Sequence, residues 1–295
     1  MSDQDQAPHS DFSGEWLALR EAADHDARDR HPLLKRLAPW LKARDDSVQI
    51  VDLGCGSGSN LRYLSARLTS EQQWWLLDQD AALLDSAANT SHAAQVSALT
   101  TRRCDLVALE EALARHAPPH PDLVTASALL DLVAESWLTT LADWCGERRC
   151  ALLLALSIDG DNRLAERTGS DDAMRALDRD VQQLIARHQR RDKGFNGALG
   201  CDAPVVAQRL LNERGFEVSV ATAPWQLDSR RPNHAELMHA LVAGWYDAAL
   251  EQAPIRREAL DHWYSRRCAA IKDGTLDIEV GHQDLLALPQ GDRRQ

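Results

Sequence analysis

The sequence predicts an α/β protein built on a doubly wound, mostly parallel sheet. Runs typical of buried strands alternate with helical patterns five times between residues 47 and 158. A glycine-rich stretch, VDLGCGSGSN at residues 51–60, joins the first strand to the first helix of this series. Ligands of such sheets bind beyond the carboxyl ends of the strands, and this glycine-rich turn lies at that edge.

Two helices are expected before the first strand. Residues 11–30 place apolar residues in one turn followed by charges, and residues 31–44 carry a leucine stripe at helical spacing. We therefore predict an N-terminal helical segment at residues 1–46, followed by one main domain at residues 47–295.

Within the main domain, each strand candidate is followed by a helix candidate. The strand runs are short and apolar, whereas the helical runs repeat leucines every three or four residues. The strands are predicted at 47–54, 72–80, 99–105, 122–132 and 148–158, and the helices at 59–68, 81–89, 106–117 and 134–145.

Beyond residue 158 the pattern changes. Helical insertions are predicted near residues 160–200 and 230–273. Between them, a helix runs into a strand within residues 203–225, and residues 276–289 supply one final strand.

Composition restricts the partners of the protein. The formal net charge is −12 and the sequence pI is about 5.3, so nucleic acids and anionic membranes are poor partners. No run reaches the roughly 18 apolar residues of a membrane span, and the first residues lack the pattern of a signal peptide. The six cysteines have neither a CxxC pair nor zinc-like spacing. We therefore expect reduced thiols, a cytoplasmic location and no metal site.

The spacing of the glycines distinguishes between two kinds of cofactor. A dinucleotide fingerprint is G-x-G-x-x-G, whereas Gly54, Gly56 and Gly58 form G-x-G-x-G. Asp52, at the end of the preceding strand, would repel a pyrophosphate but would attract an ammonium group. S-adenosylmethionine carries an ammonium group and a sulfonium. Asp78, about 20 residues on, ends the second strand and is placed to accept hydrogen bonds from ribose hydroxyls.

These motifs carry a family resemblance. VDLGCGSGSN, WWLLDQDAALLDSA, RRCDLV and DLVTASALLDLV resemble, in order and spacing, the successive motifs of class I S-adenosylmethionine-dependent methyltransferases. The resemblance covers residues 47–158 and resumes at LLNERGFEVSV. It implies a Rossmann-like, seven-stranded, mostly parallel sheet with an antiparallel last strand. It also implies that the N-terminal helices and the two insertions cover the carboxyl end of the sheet.

The resemblance implies a set of cofactor-binding residues. The turn would line the methionine end, Asp78 would hold the ribose, Asp105 with its neighbours would border the adenine, and Ser127 would flank the cofactor. Capping of the following helix is an alternative role for Asp105. The full set is Asp52, Gly54, Cys55, Gly56, Gly58, Asn60, Asp78, Gln79, Cys104, Asp105, Leu106 and Ser127.

The N-terminal helix is expected to close over the cofactor. The glycine turn offers only backbone N–H groups to the methionine carboxylate, and an arginine fork suits that group well. Arg20 is therefore a candidate cofactor-binding residue. Its alternative role is a surface ion pair with Glu21 or Asp24 on the same helix.

The expected reaction is methyl transfer to a small molecule, at oxygen or nitrogen. The motifs for methylating exocyclic base amines and cytosine carbon are absent. A protein or RNA methyltransferase and a non-catalytic S-adenosylmethionine-binding protein are the alternatives. If the acceptor must lose a proton, the candidate bases are Asp131, His188, His234 and His239.

Overall fold

The structure is a computed structural model that describes residues 13–43, 47–169 and 171–290. Residues 1–12 and 44–46 of the predicted N-terminal segment lie outside the described residues. So do residue 170 and residues 291–295 of the predicted main domain.

A seven-stranded, mostly parallel sheet forms the centre of the molecule, as the sequence predicted. Its strand order is β3-β2-β1-β4-β5-β10-β7, and β10 runs antiparallel to both of its neighbours. The strands are β1 (Ser47–Leu53), β2 (Glu71–Asp78), β3 (Val96–Arg103), β4 (Leu123–Ser127), β5 (Ala151–Ile158), β7 (Phe216–Thr222) and β10 (His282–Pro289).

Helices cover both faces of this sheet. The first helices are α1 (Gly14–Arg28), α2 (Leu33–Lys42), α3 (Ser59–Ser65) and α4 (Ala81–Ala88). They are followed by α5 (Leu109–His116), α6 (Glu135–Arg148) and α8 (Ala203–Glu213). One apolar core joins α2, α3 and α4 to the sheet, and a second core joins α5, α6 and α8 to the opposite face. The doubly wound arrangement is therefore confirmed.

A second layer lies against the end of the sheet. It contains a three-stranded antiparallel sheet of order β6-β9-β8 and three helices. These elements are β6 (Arg163–Glu166), α7 (Asp172–Gln189), β8 (Trp225–Asp228), α9 (Pro232–Gln252), α10 (Arg257–Lys272) and β9 (Leu276–Val280), which we call the cover. The cover has its own apolar core, which also includes residues of α1 and β5.

Several boundaries differ from the sequence prediction, and three of the predicted strands stop early or divide. The predicted strand at 122–132 ends at Ser127, and the next residue, Ala128, has a positive φ of 54°. The predicted final strand divides into β9 and β10 at Gly281, where a Cβ would lie 2.0 Å from the Asp159 carboxylate. The strand predicted through Trp225 stops at Thr222, and Trp225 instead opens β8. The positive φ of Ala128 and the close approach of Asp159 to Gly281 thus interrupt two runs that the sequence pattern treats as continuous.

Candidate functional site

The glycine turn connects β1 to α3 in a conformation that requires glycine. Gly54, Gly56 and Gly58 have φ values of 65°, 51° and 84°, in the left-handed region that side chains disfavour. The turn is attached to the neighbouring strand, because Gly54 N donates to the carbonyl of Leu77 at 2.8 Å. A Cβ on Gly56 would lie 3.2 Å from Leu17 Cδ1 of α1, so the N-terminal helix lies directly against the turn.

Asp78 reaches the glycine turn from the end of β2. Its Oδ2 accepts a hydrogen bond from Gly56 N at 2.8 Å, and its Oδ1 accepts one from Asp80 N at 3.0 Å. The side chain is 9% exposed. The next residue, Gln79, is exposed, and its carbonyl accepts a hydrogen bond from Arg103. The structure therefore brings together the glycine turn and the acidic residue that the sequence placed there.

Asp52 is buried beneath the turn in a polar network. Its Oδ1 accepts a hydrogen bond from Asn60 Nδ2 at 2.8 Å, and the same amide donates to Thr125 Oγ1 at 3.1 Å. The second oxygen, Oδ2, is buried without a hydrogen-bond partner. Burial raises the pKa of Asp52 to about 7, against the lowering effect of the Asn60 hydrogen bond and the Arg28 cation.

Arg28 is a residue of this site that sequence reasoning missed. It ends α1, and its Nη1 donates to Asn60 Oδ1 at 2.9 Å. The arginine is 3% exposed. Helical spacing could have suggested it, because Arg28 follows Arg20 by eight residues and so lies near the same face of α1. Nothing in the sequence indicates that this face meets Asn60.

The residues expected at the adenine end follow β3. Cys104 is partly buried, and its backbone N donates to the Asp78 carbonyl at 2.9 Å. Asp105 is exposed, and its side chain caps a short 3₁₀ turn by accepting from Val107 N at 2.8 Å, which is its alternative role. Leu106 is buried in the core. This region therefore lies next to Asp78.

The two cysteines near the turn, Cys55 and Cys104, are protonated thiols close to acidic side chains. Burial raises the pKa of the Cys55 thiol well above its usual value. Burial and the Asp78 carboxylate raise the pKa of Cys104 to about 11. Neither thiol is therefore activated as a nucleophile.

Ser127 and Asp131 follow β4 at the carboxyl edge of the sheet. Ser127 is the last residue of the strand and is partly buried. The carbonyl of Asp131 accepts a hydrogen bond from Gly200 N at 2.9 Å, which connects this turn to the segment between α7 and α8. Burial raises the pKa of the Asp131 carboxyl to about 6, and the cations of Arg20 and Lys193 act in the opposite direction.

Arg20 points to the junction between α1 and the cover. Its guanidinium forms two hydrogen bonds with Asp24, at 2.9 and 3.1 Å, and lies 5.0 Å from the centre of the Trp225 ring. Trp225 Nε1 donates to the same Asp24 carboxylate at 2.9 Å. The pairing with Asp24 matches the alternative role, but the arginine is 8% exposed and so is not a surface residue.

The three histidine candidates lie in the cover. His188 pairs with Glu251 at 3.2 Å, and His239 is exposed on α9. His234 is buried, and its Nδ1 accepts a hydrogen bond from Asp228 N at 3.1 Å. Of the four candidate bases, Asp131 is the one that follows directly on a strand of the parallel sheet.

His282 is a second residue that sequence reasoning missed. It opens β10 opposite Ile158, the last residue of β5, and therefore lies at the carboxyl edge of the parallel strands. Its Nδ1 lies 3.0 Å from the Val280 carbonyl, and its ring centre lies 5.0 Å from that of Trp225. Burial lowers the pKa of His282 to about 3, so the ring is neutral. No sequence signal marks it, because its position depends on the antiparallel pairing of β10.

The described residues show no group of three His, Cys, Asp or Glu side chains placed to hold a metal ion. No helix within the described ranges is long and apolar enough to cross a membrane. All six cysteines fall within these ranges, and each is a free thiol.

Comparison with known proteins identifies the domain that carries the glycine turn. Residues 50–146 match the family model described as a methyltransferase domain. No curated protein matches the chain.

Solved structures resemble the chain over most of its length. A cyclopropane-fatty-acyl-phospholipid synthase-like protein from Lactobacillus casei is 12% identical, with a TM-score of 0.52 and 92% of each chain covered. The cyclopropane synthase MmaA2 from Mycobacterium tuberculosis is 11% identical, with a TM-score of 0.45, and 94% of this chain and 95% of that chain are covered. The phosphoethanolamine N-methyltransferase 2 from Haemonchus contortus is 13% identical, with a TM-score of 0.44; 96% of this chain and 59% of that one are covered.

The Lactobacillus casei structure shows that the fold is shared across nearly the whole chain. The family match therefore identifies residues 50–146 as a methyltransferase domain, and the fold that contains this domain extends over nearly the whole chain.

Proposed function

We propose that this enzyme transfers the methyl group of S-adenosylmethionine to an oxygen or nitrogen atom of a small molecule. One observation carries the choice of a small acceptor. α1 lies against the glycine turn, and its Asp24 bonds to Trp225 of the cover, so structure closes over the carboxyl edge of the sheet. Such an enclosed edge suits a small acceptor better than a macromolecule.

The glycine turn and its surroundings have the chemistry that the cofactor requires. Asp52 has a buried, unpartnered oxygen that would accept a hydrogen bond from the ammonium group. Gly56 has no side chain to cover its backbone, which would allow a ligand to approach that backbone closely. Asp78 has two carboxylate oxygens for the ribose hydroxyls. These features support binding of the methionine and ribose parts at this turn.

The remaining predicted residues complete the proposed cofactor site. Cys104, Asp105 and Leu106 would border the adenine, and Gln79 would lie beside the ribose. Cys55 and the glycines would line the methionine end, and Ser127 would flank the cofactor from β4. When bound, the cofactor supplies an electrophilic methyl group on a sulfonium, and the protein supplies alignment and exclusion of water.

Asp131 is the proposed proton acceptor. It follows β4 at the edge where the acceptor would bind, and its pKa of about 6 leaves it mainly ionised at neutral pH. An ionised carboxylate with a raised pKa is a better base than an ordinary aspartate. The rate should therefore fall as the pH drops below about 6, because the protonated side chain cannot accept the proton. His188, His234 and His239 remain candidates on the sequence argument alone.

A labelling experiment tests the proposed function. The protein is incubated with a metabolite extract and S-adenosylmethionine labelled in the methyl group, and the products are separated by size. We expect label in the small-molecule fraction. Label confined to protein or RNA would support the alternative acceptors, and cofactor binding without any labelled product would support a non-catalytic role.

The role of Asp131 is tested on the labelled small-molecule product. Asp131→Asn keeps the shape of the side chain and removes the base, so turnover should fall by roughly 10²–10⁴-fold. Asp143→Asn is the control, because Asp143 pairs with Arg214 on the outside of α6. Equal turnover of the two variants would remove Asp131 from the mechanism.

We also propose a cytoplasmic location and no nucleic-acid partner. The free cysteines suit a reducing compartment, and the net charge of −12 opposes binding to polyanions.

A further inference from the structure

We infer that Arg28 is a positioning residue for the cofactor site: through Asn60 it orients Asp52 and keeps it ready to accept the cofactor's ammonium group. The inference rests on the role proposed above for Asp52. Arg28 is the last residue of α1, and it precedes the matched methyltransferase domain. A residue outside that domain would therefore position a group of the cofactor site.

A continuous line of hydrogen bonds joins Arg28 to Asp52. Arg28 Nη1 donates to Asn60 Oδ1 at 2.9 Å, which leaves the Asn60 amide group to donate to Asp52 Oδ1 at 2.8 Å. An amide side chain has one acceptor and one donor end, so the arginine fixes which end faces Asp52. Asp52 Oδ2 remains without a partner in this arrangement. The network therefore holds one oxygen and leaves the other for a ligand.

Arg28 is held in place from its other side. Its Nε lies 3.4 Å from Asp284 Oδ2, and Asp284 is fully buried on β10. His31 approaches the same oxygen at 3.1 Å, and Asp284 Oδ1 accepts from Leu156 N at 2.7 Å. A buried cation is costly without such a partner. The pair with Asp284 thus stabilises the charged Arg28 guanidinium in its buried position next to Asn60.

The electrostatic surroundings of Asp52 give Arg28 a measurable effect. Three titratable or charged groups act around the Asp52 carboxyl: Arg28 from α1, Asp78 from β2 and the Cys55 thiol in the turn. Burial and Asp78 raise the pKa of Asp52, whereas Asn60 and Arg28 lower it. Thr125 of β4 and Asn60 of α3 are neutral. Arg28 is therefore the cation that favours the ionised carboxylate.

Another arginine provides a matched control. Arg28 and Arg67 both lie over the ring of Tyr63, with guanidinium carbons 4.0 and 3.9 Å from its centre. Arg67 pairs with Asp29, is about one third exposed and has no bond to Asn60 or Asp52. The two arginines share a stacking partner, and of the two it is Arg28 whose side chain is connected through Asn60 to Asp52.

The experiment measures binding of S-adenosylhomocysteine by calorimetry between pH 5.5 and 8.5. The ligand has the same ammonium group, and its own titration is common to all variants. Affinity should rise with pH as Asp52 ionises. In Arg28→Met the midpoint should move up by about 1 pH unit, because the cation that lowers the pKa of Asp52 is lost. Arg67→Met should leave the midpoint unchanged. Arg28→Lys keeps the positive charge, so its midpoint should lie close to that of the wild type.

Loss of Arg28 removes the buried cation beside Asp284, so Arg28→Met can fail to fold. Arg28→Gln then carries the test, because it keeps hydrogen-bond donors toward Asn60 and Asp284 while removing the charge, and its midpoint should also rise. A midpoint that stays at the wild-type pH in either folded variant would overturn the inference and leave the proposed function intact. Wild-type protein that does not bind S-adenosylhomocysteine would overturn the proposed site itself, and the role of Arg28 with it.

Discussion

The glycine turn and the cover differ in how their buried polar groups are paired. Around the turn, Asp52 keeps an unpartnered oxygen. In the cover, the fully buried Arg267 is bonded to Asp178 and Glu166, and Trp263 Nε1 donates to Asp178 as well. Unpaired buried groups are costly unless a ligand satisfies them. The difference indicates that the buried oxygen at the turn is available to a ligand, whereas the buried polar groups of the cover stabilise the cover.

Removing the cation of the cover tests this comparison with the largest expected effect. Arg267→Met removes the buried cation that pairs with Asp178 and Glu166, so the free energy of unfolding should fall by about 3–5 kcal/mol. Denaturant unfolding measures the change. Arg163→Met is the control, because Arg163 forms an exposed pair with Asp161, and its loss should have little effect. Equal stability of the two variants would show that the buried cluster does not support the cover.

The contact between the two regions can be tested through Trp225. Trp225→Phe keeps most of the ring but removes the hydrogen bond to Asp24, a charged acceptor on α1. We expect a loss of about 1.5–3 kcal/mol in unfolding free energy. Trp137→Phe is the matched control, because Trp137 Nε1 donates to a neutral carbonyl, that of Leu106. Its loss should cost about 0.5–1.5 kcal/mol. A larger loss of unfolding free energy in Trp137→Phe than in Trp225→Phe would contradict a strong contribution from the hydrogen bond to Asp24.

Asp78 tests the ligand-binding side of the comparison. Asp78→Ala should weaken binding of S-adenosylmethionine by roughly 1–3 kcal/mol, because two ribose hydroxyls lose a charged acceptor. Calorimetry on the folded variant gives the affinity. Asp80→Ala is the control, since Asp80 caps α4 two residues later and should affect stability before binding. Unchanged affinity in Asp78→Ala would remove Asp78 from the site.

The smallest expected effect is the loss of stability in two glycine-to-alanine variants. Comparing them distinguishes backbone strain from crowding of the cofactor site. Gly56 and Gly169 both have positive φ, and a Cβ on Gly169 would meet nothing within 4 Å. Gly56→Ala and Gly169→Ala should therefore each lose about 1–2 kcal/mol of stability through strain. Only Gly56→Ala should also weaken cofactor binding, since its Cβ would crowd the turn and Leu17. Normal binding by Gly56→Ala would show that this glycine serves the fold alone.

The sequence was most informative about the glycine turn and the acidic residues at the ends of β1 and β2. Asp52 lies near the end of β1, the glycine turn follows that strand and Asp78 ends β2, and the carboxyl ends of parallel strands meet at the same edge. Their meeting could therefore be predicted, and the structure brings Asp78 to 2.8 Å from Gly56 N. The antiparallel last strand is likewise confirmed.

The three-stranded sheet of the cover could not be predicted in this way. Its strands have four or five residues, and β6 pairs with β9 across more than 100 positions of the chain, with Arg163 opposite Glu279. Short strands without a strong alternating pattern give little local signal. The predicted insertions therefore gave their helices but not the strands that join them.

The sequence by itself determined the order of the central elements, the conformation of the glycine turn and the acids at two strand ends. These follow from local preferences: hydrophobic periodicity, and the freedom of glycine at positive φ. Tertiary structure alone decided that the Arg20–Asp24 pair is buried beside Trp225, that Arg28 reaches Asn60, and that His282 lies at the edge next to β5. The reason is physical. A helix pattern shows which face is buried, but the partner of each buried charge depends on which distant element packs there.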